Sequence, residues 1–416
     1  MIVKPFRGLR PRADLASTIP SVPYDVVTST EARELVRHDP YSFLHVIKPE
    51  IDLDPGIEPH DARVYAKGLE NLQEMIAKGW LVRDERPAYY VYRLVMDGRP
   101  QTGILGAAAV DDSLKDRIKK HEHTRPEKEQ DRVRLNDTLA VNPGPIFLTY
   151  HATDELDSTV DKITSRDPDV HFTSSDGIEH TLWVVDDAEK CRAIETGFGR
   201  LDATYVADGH HRTAAATKVA LKRRAALTDP TGNEPCNYFM AAHYPADQLR
   251  ILDYNRVVKD LHGLESAELL ERIRGAGLQI QADHADKRPP RPRTFGMYLE
   301  RQWYLLSVDP ASVPDDPVRG LDVAILTERL LDPILGIGDV RTDPRIDFVG
   351  GIRGMRGLET RVDSGRDAVA FALWPTSLKD VIRVADAGRV MPPKSTWFEP
   401  KLRSGLVVQS IDGDTL

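Results

Sequence analysis

A β-prone run, Ala203-Thr204-Tyr205-Val206-Ala207, passes directly into Asp208-Gly209 and then into Thr213 to Leu227, a stretch rich in alanine, lysine and arginine. Good helix formers directly after a strand and a glycine predict a strand-to-helix junction at Asp208-Gly209-His210-His211-Arg212. Such a junction constrains the fold strongly, because a strand ending at a helix start needs a sheet with a helix packed on it. It also presents free backbone N–H groups and the positive end of a helix dipole, an anion site before any side chain is considered. Arg212 and the two histidines add charge and donors. Gly209 lets the backbone approach a phosphate closely, and Asp208 can hold a magnesium ion or accept a proton. The plainer reading makes Asp208 a helix cap and leaves the histidines solvated.

The flanking chain predicts more mixed structure. Apolar residues Val64, Leu69, Leu72, Met75 and Ile76 recur at helical spacing, with Gly79 as a stop. Ala88 to Met96 and Thr102 to Val110 read as strands joined at Asp97-Gly98, a hairpin signal. Asp111 to Leu139 is charged and helix-compatible until Asn142-Pro143-Gly144-Pro145 breaks it, and Ile146 to Tyr150 reads as a strand. Asp286 to Arg293, charged and proline-rich, predicts a linker or exposed loop. Thr294 to Val308 has hairpin character, Leu321 to Leu331 reads as helix, and Thr376-Ser377 opens a helix closed by Gly388. The expectation is an α+β protein in three parts: an N-terminal extension at 1–87, a core at 88–262 and a C-terminal α/β lobe at 263–416, with the active site between lobes.

The chain has 416 residues and a formal charge of -9, so it carries no global attraction for nucleic acid or anionic membrane. No apolar run approaches the roughly 20 residues of a membrane span, and the first residues lack a signal-peptide core. These features predict a cytoplasmic protein, with nucleic acid an unexpected partner. Cys191 and Cys236, the two cysteines, form no CxxC motif and read as core thiols.

Proton-transfer groups gather a second time at Lys120-His121-Glu122-His123-Thr124, where Glu122 with either histidine makes a candidate acid/base pair. The alternative is a charged surface helix, with Glu127, Lys128, Asp131, Arg132 and Arg134 as solvated faces and ion pairs. His121, His123, His210 and His211 also raise zinc, although their spacing does not match HExxH and no thiolate lies nearby. In Pro392-Pro393-Lys394-Ser395-Thr396, a lysine followed by two hydroxyls suits a phosphate or carboxylate. Arg7 and Arg10 are candidate anion contacts, and Pro23-Tyr24-Asp25 reads as a turn with a packed tyrosine. Without a Gly-Lys dipeptide, a Walker A loop is excluded.

Val206-Ala207-Asp208-Gly209-His210-His211-Arg212 resembles the Val-Asp-Gly-His-His-Arg loop of archaeal free-serine kinases, members of the ParB/sulfiredoxin-like superfamily. His121-Glu122 resembles their upstream His-Glu, and Gly388 to Thr396 resembles their C-terminal Gly-x-Val-x-x-Pro-Lys-Thr-Thr. From Lys4-Pro5-Phe6 to Lys401-Leu402 the chain also looks like a large prokaryotic family known as a domain of unknown function. The kinase resemblance implies a ParB/sulfiredoxin-like core and phosphoryl transfer from ATP or ADP, with Mg2+, to the hydroxyl of free L-serine or a similar small compound. It implies Glu122 as catalytic base with His121 beside it, Asp208 as catalytic and magnesium-holding, and Gly209, His210, His211 and Arg212 as nucleotide-phosphate contacts. Lys394, Ser395 and Thr396 become substrate contacts. Roughly ninety residues separate His121-Glu122 from the Asp-Gly loop, more than in the compact kinases, and the N-terminal region is added. Two rivals stay open: a ParB-like nucleotide-binding regulatory module, for which Lys218, Lys222, Arg223 and Arg224 are the clustered basic residues, and a metal-dependent phosphoester hydrolase.

Overall fold

The computed structural model describes residues 1–413, which form a mixed α+β fold in two compact units. One unit comprises 1–120, 124–249 and the C-terminal segment from 400; the other comprises 121–123 and 250–399.

The first unit is organised by a nine-stranded mixed sheet. Its strands are β1 (Val3–Lys4), β2 (Tyr89–Met96), β3 (Arg99–Ala109), β4 (Ile118–Lys119), β5 (Ile146–Tyr150), β6 (Val170–Thr173), β7 (Glu179–Val185), β8 (Thr204–Asp208) and β9 (Tyr238–Pro245). The order is β4-β8-β5-β9-β3-β2-β7-β6, with β1 added alongside β3. The β2–β3 hairpin turns where expected, with Asp97 and Gly98 both at positive φ (54° and 73°). Strands β5 and β9 run parallel, as do β4 and β8, and the other pairs are antiparallel.

Helices of this unit include α1 (Ser29–Val36), α2 (Ala62–Ala77), α3 (Pro126–Leu139), α4 (Asp154–Thr164), α5 (Ala188–Gly199) and α6 (His210–Ala225). A core under the sheet gathers Tyr89, Ile104, Leu148, Trp183, Phe198 and Val206. A second core joins N-terminal residues Leu9, Ile19, Phe43 and Leu72 to Leu135 and Leu139 of α3. Burial of these side chains contributes about 1.5–3 kcal/mol each, which ties the N-terminal segment firmly to α3.

The stretch 111–139 is not one helix. A short helix ends at Leu114, Ile118–Lys119 pairs with β8, and the chain stays extended until Pro126 opens α3. Proline at the first helical position loses no hydrogen bond, so it marks the true start. Charged composition without an apolar period had hidden that break.

In the second unit, β10 (Tyr254–Val258), β11 (Leu278–Ala282), β12 (Thr294–Leu299), β13 (Gln302–Val308), β14 (Ile346–Gly350) and β15 (Val369–Leu373) form an antiparallel sheet ordered β11-β13-β12-β15-β10-β14. The 286–293 segment is the loop that joins β11 to β12. Helices α7 (Ser266–Gly275), α8 (Gly354–Asp363) and α9 (Leu378–Asp386) accompany this sheet. Ser377 and Asp380 close a reciprocal capping box at the start of α9, and Gly388 follows its end at φ 63°. Leu321–Leu331, expected as helix, is helical: an α-helix at Asp322–Leu326 continues as a wider π-helix at Thr327–Leu331. No helix among the described residues is long and apolar enough to cross a membrane.

Candidate functional site

Strand β8 ends in a bulge. Tyr205 pairs with Thr149 and Val206 with Leu148, but Asp208, not Ala207, pairs with Phe147. One extra residue in the strand bends it and re-aims the next side chain. Gly209 then takes φ 96°, ψ 31° as the residue capping α6. A Cβ there would meet Ile146 Cα at 3.7 Å, an ordinary contact, so the left-handed backbone is what asks for glycine. The Gly209 N–H donates to Asp208 Oδ1 at 2.8 Å, and no side chain of the capping residue closes the helix end. The first turn of α6 therefore starts at the end of β8 with its positive dipole end beside Asp208.

Two cations set the charge of that carboxylate. Lys401 Nζ donates to Asp208 Oδ2 at 3.0 Å. Although burial works the other way, Lys401 and Arg212 hold the Asp208 carboxyl well below the ordinary carboxylate range. Arg212 is fixed in turn: Nη1 donates to the Pro145 carbonyl at 2.8 Å, and Nη2 lies 3.7 Å from Asp25.

Two guanidinium groups approach the Tyr24 ring, Arg132 at 3.9 Å and Arg212 at 5.9 Å from its centre. Arg132 is buried and fully engaged, with Nε and Nη2 on Asp131 and Nη1 on the Ile47 carbonyl. Burial, then Asp25, pushes the Tyr24 phenol up to about 12, so it stays protonated.

The adjacent histidines divide their tasks. His210 is buried at the first position of α6. His211 Nε2 accepts the Arg125 N–H at 3.0 Å, which requires that nitrogen to be unprotonated and places the proton of a neutral ring on Nδ1. Beside them Thr124 Oγ1 donates to Glu129 at 2.6 Å, and Lys218 pairs with the same carboxylate. The rest of the basic run faces acids too: Lys222 and Arg223 meet Asp137, and Arg224 meets Asp111 at 2.7 Å.

In the second unit, His121 is buried, its carbonyl accepts the Met391 N–H at 2.8 Å, and its Nε2 lies 3.4 Å from Thr396 Oγ1. Glu122 is half-buried. Lys394 is exposed at φ 58°, with Nζ 5.5 Å from the Tyr254 ring centre, and its carbonyl accepts from buried Arg256 at 3.1 Å. Ser395 turns its hydroxyl inward to the Pro392 carbonyl at 2.6 Å. The expected residues thus fall into Asp208 to Arg212 in the first unit, and His121, Glu122 and Lys394 to Thr396 in the second. His121 and Thr396 meet directly.

Sequence reasoning passed over Lys401, read Tyr24-Asp25 as a packed turn, and placed Arg132 among solvated charges. For Lys401 no local signal exists, since its partner lies 193 residues away. For Arg132 the signal was present: Leu135 and Leu139 lie three and seven positions on, along the buried face of α3. Among the described residues no group of three or more His, Cys, Asp or Glu side chains gathers as a metal site. The four histidines of the zinc reading do not assemble.

The fold and this junction define a mixed α+β protein with a polar strand-to-helix loop. The chain belongs to the family described as Protein of unknown function (DUF1015), whose model matches residues 3–324. No curated protein matches it. Among solved structures it is similar to C-terminally truncated SbnI from Staphylococcus aureus, at 14% identity over 75% of this chain and 90% of that one, with a TM-score of 0.40. It is also similar to a free serine kinase in complex with AMP, at 13% identity over 73% and 92% of the two chains, TM-score 0.35. A conserved hypothetical protein from Pyrococcus furiosus gives 13% identity, 74% and 96% coverage, and a TM-score of 0.36.

Proposed function

We propose that the protein is a small-molecule phosphotransferase that moves a phosphoryl group from ATP or ADP to the hydroxyl of free L-serine or a similar small compound, on a ParB/sulfiredoxin-like core. The observation that carries this reading is the β8–α6 junction: a left-handed Gly209 at the helix start, beside an Asp208 carboxylate kept ionised by Lys401 and Arg212.

The junction suits the implied nucleotide and Mg2+. Magnesium is commonly held by one or two carboxylates together with substrate phosphates, so a single ionised Asp208 suffices where a zinc site would need several ligands. When bound, the nucleotide supplies the transferable phosphoryl group and Mg2+ neutralises its charge.

The chain's own residues then do the positioning. N–H groups of His210, His211 and Arg212 and the Arg212 guanidinium hold phosphate oxygens, as a helix start does for anions, and Gly209 lets the phosphate come close. Asp208 binds the cation. Glu122 takes the proton of the acceptor hydroxyl as its oxygen bonds to phosphorus and the bond from phosphorus to the nucleotide's bridging oxygen breaks. Lys394 neutralises the transferred group, and His121, Ser395 and Thr396 orient the acceptor. The division into 1–87, 88–262 and 263–416, and a cytoplasmic location among nucleotides, belong to the same reading.

The test incubates purified protein with Mg2+, ATP or ADP in turn, and a pool of hydroxy amino acids, following products by phosphorus NMR. Phosphoserine formed with one donor and lost in Asp208→Ala establishes the reading. Tight nucleotide binding without product replaces it with a regulatory module, and phosphate release from small phosphoesters replaces it with a hydrolase.

A further inference from the structure

Among the described residues three arginines are buried: Arg132, Arg256 and Arg403. Arg132 pairs with Asp131, and Arg403 with Asp176. Arg256, on β10 and 2% exposed, meets no carboxylate among those residues. Its partners are carbonyls: Nη1 donates to that of Tyr254, and Nη2 to those of Pro393 at 3.4 Å and Lys394 at 3.1 Å. Phe348, its cross-strand neighbour on β14, has its ring centre 5.3 Å from the guanidinium. Burial presses the guanidinium pKa down to about 10, so it stays charged at neutral pH. A buried cation without an opposite charge is costly, and carbonyl dipoles offset only part of that cost.

Those carbonyls also orient the loop. A peptide group is planar and trans, so its N–H points opposite to its C=O. With the Pro393 and Lys394 carbonyls turned onto Arg256, the N–H groups of Lys394 and Ser395 point away from it. Neither N–H has an acceptor among the described residues. The Lys394 ammonium, exposed and 5.5 Å from the Tyr254 ring centre, meets no carboxylate among them either.

From this unbalanced charge we infer that the two N–H groups and the Lys394 ammonium form an oxyanion subsite in the second unit, with Arg256 as the positioning cation behind the loop. Its ligand is a small molecule bearing a carboxylate or a phosphate. Peptide dipoles with a cation at their carbonyl ends present added positive potential at their N–H ends, and an oxyanion there supplies the charge that Arg256 lacks. Arg256 does not touch the ligand; it acts through the peptides it holds. The same loop brings Thr396 Oγ1 to 3.4 Å from His121 Nε2, so the subsite lies with residues proposed to orient the acceptor. The inference rests on the phosphotransferase reading only for the ligand's part in the reaction, and deepens it by naming what fixes the ligand's anionic end.

The test follows amide NMR signals of the full chain labelled on its serine nitrogens, with the Ser395 signal identified by its absence in Ser395→Ala. Sodium phosphate and sodium acetate are titrated at constant ionic strength, with chloride as the control. Phosphate or acetate is expected to move the Ser395 signal to saturation, and chloride to leave it in place. Lys394→Met and Arg256→Met are each expected to weaken the anion by about tenfold or more, and Arg256→Lys, which keeps the charge, to recover part of that loss. Lys394 is exposed, so its variant keeps the fold even if an Arg256 variant does not. Saturation by acetate assigns a carboxylate end of the ligand, and saturation by phosphate alone a phosphoryl group. The inference is overturned if neither anion moves the signal, if chloride moves it equally, if Lys394→Met binds like the wild type, or if a folded Arg256→Lys recovers nothing. Anion binding without phosphotransfer removes the phosphotransferase reading and leaves the subsite supported. Phosphoserine made by a chain whose Ser395 signal ignores both anions does the reverse.

Discussion

Lys401 reaches across 193 residues of sequence to place its ammonium 3.0 Å from Asp208 Oδ2, at the bulged end of β8. The pair ties the C-terminal segment to the junction and fixes which way Asp208 faces.

Removing the ammonium separates charge from packing. In Lys401→Met the Asp208 carboxyl should titrate higher, because its largest opposing cation is gone while burial still disfavours the anion. Asp208 is a third exposed, so the stability loss should be modest, about 1 kcal/mol by urea denaturation at neutral pH. Since the folded pKa is the depressed one, the pair's contribution exists above the unfolded value and fades as pH falls toward the folded one. In the variant that acid-side loss should be smaller, and Lys401→Arg should restore most of it.

Gly209→Ala tests the junction's backbone. Space exists for a methyl group, so the cost is the left-handed conformation alone, about 1–2 kcal/mol by denaturant unfolding. Gly209→Asn should cost less, because asparagine tolerates that region better. Equal losses in both variants would point to a steric cause instead.

These relationships mark what a single sequence discloses. Local chemistry was readable: the Asp97-Gly98 hairpin, the strand-glycine-helix junction and the serine-capped start of α9 depend on neighbours a few residues apart. So was the strand at Ile146–Tyr150, a short apolar run after Pro145. Unreadable were contacts that only tertiary structure creates, such as Lys401 with Asp208 or Arg132 over Tyr24. The break between Leu114 and Pro126 was lost because pairing of Ile118 with Thr204 overrides helix-compatible composition. Tyr24 illustrates the same limit at the site: its sequence context is that of any proline turn, and only the two arginines around it distinguish it.

Glu122→Gln addresses the proposed base. If Glu122 accepts the acceptor's proton, kcat should fall by roughly 10²–10⁴-fold with KM nearly unchanged, because the amide keeps the shape and loses the basicity. Full turnover in this variant would end the assignment.

Two buried histidines predict how the fold answers acid. His180 Nδ1 lies 2.7 Å from the Tyr92 hydroxyl and Nε2 lies 3.0 Å from Ser174 Oγ; burial, then Arg403, presses its pKa down to about 3. His243 is fully enclosed, with Nδ1 3.2 Å from the Ile104 carbonyl and Nε2 without a partner, and burial lowers it to about 4. An unfolded histidine titrates near 6.5, so above that pH neither state binds the protons and stability is unaffected. Below it the unfolded chain takes up two protons that the folded chain refuses, and stability must fall as pH drops from about 6.5 toward 4. Each histidine should remove about 1.4 kcal/mol per pH unit in that window. The contribution of these two histidines to the urea midpoint should therefore decline as pH falls from 6.5 to 5. His243→Leu should make the decline shallower by about half, since the substitution removes one of the two protons taken up on unfolding. A decline of unchanged slope in His243→Leu would assign the acid sensitivity to other groups.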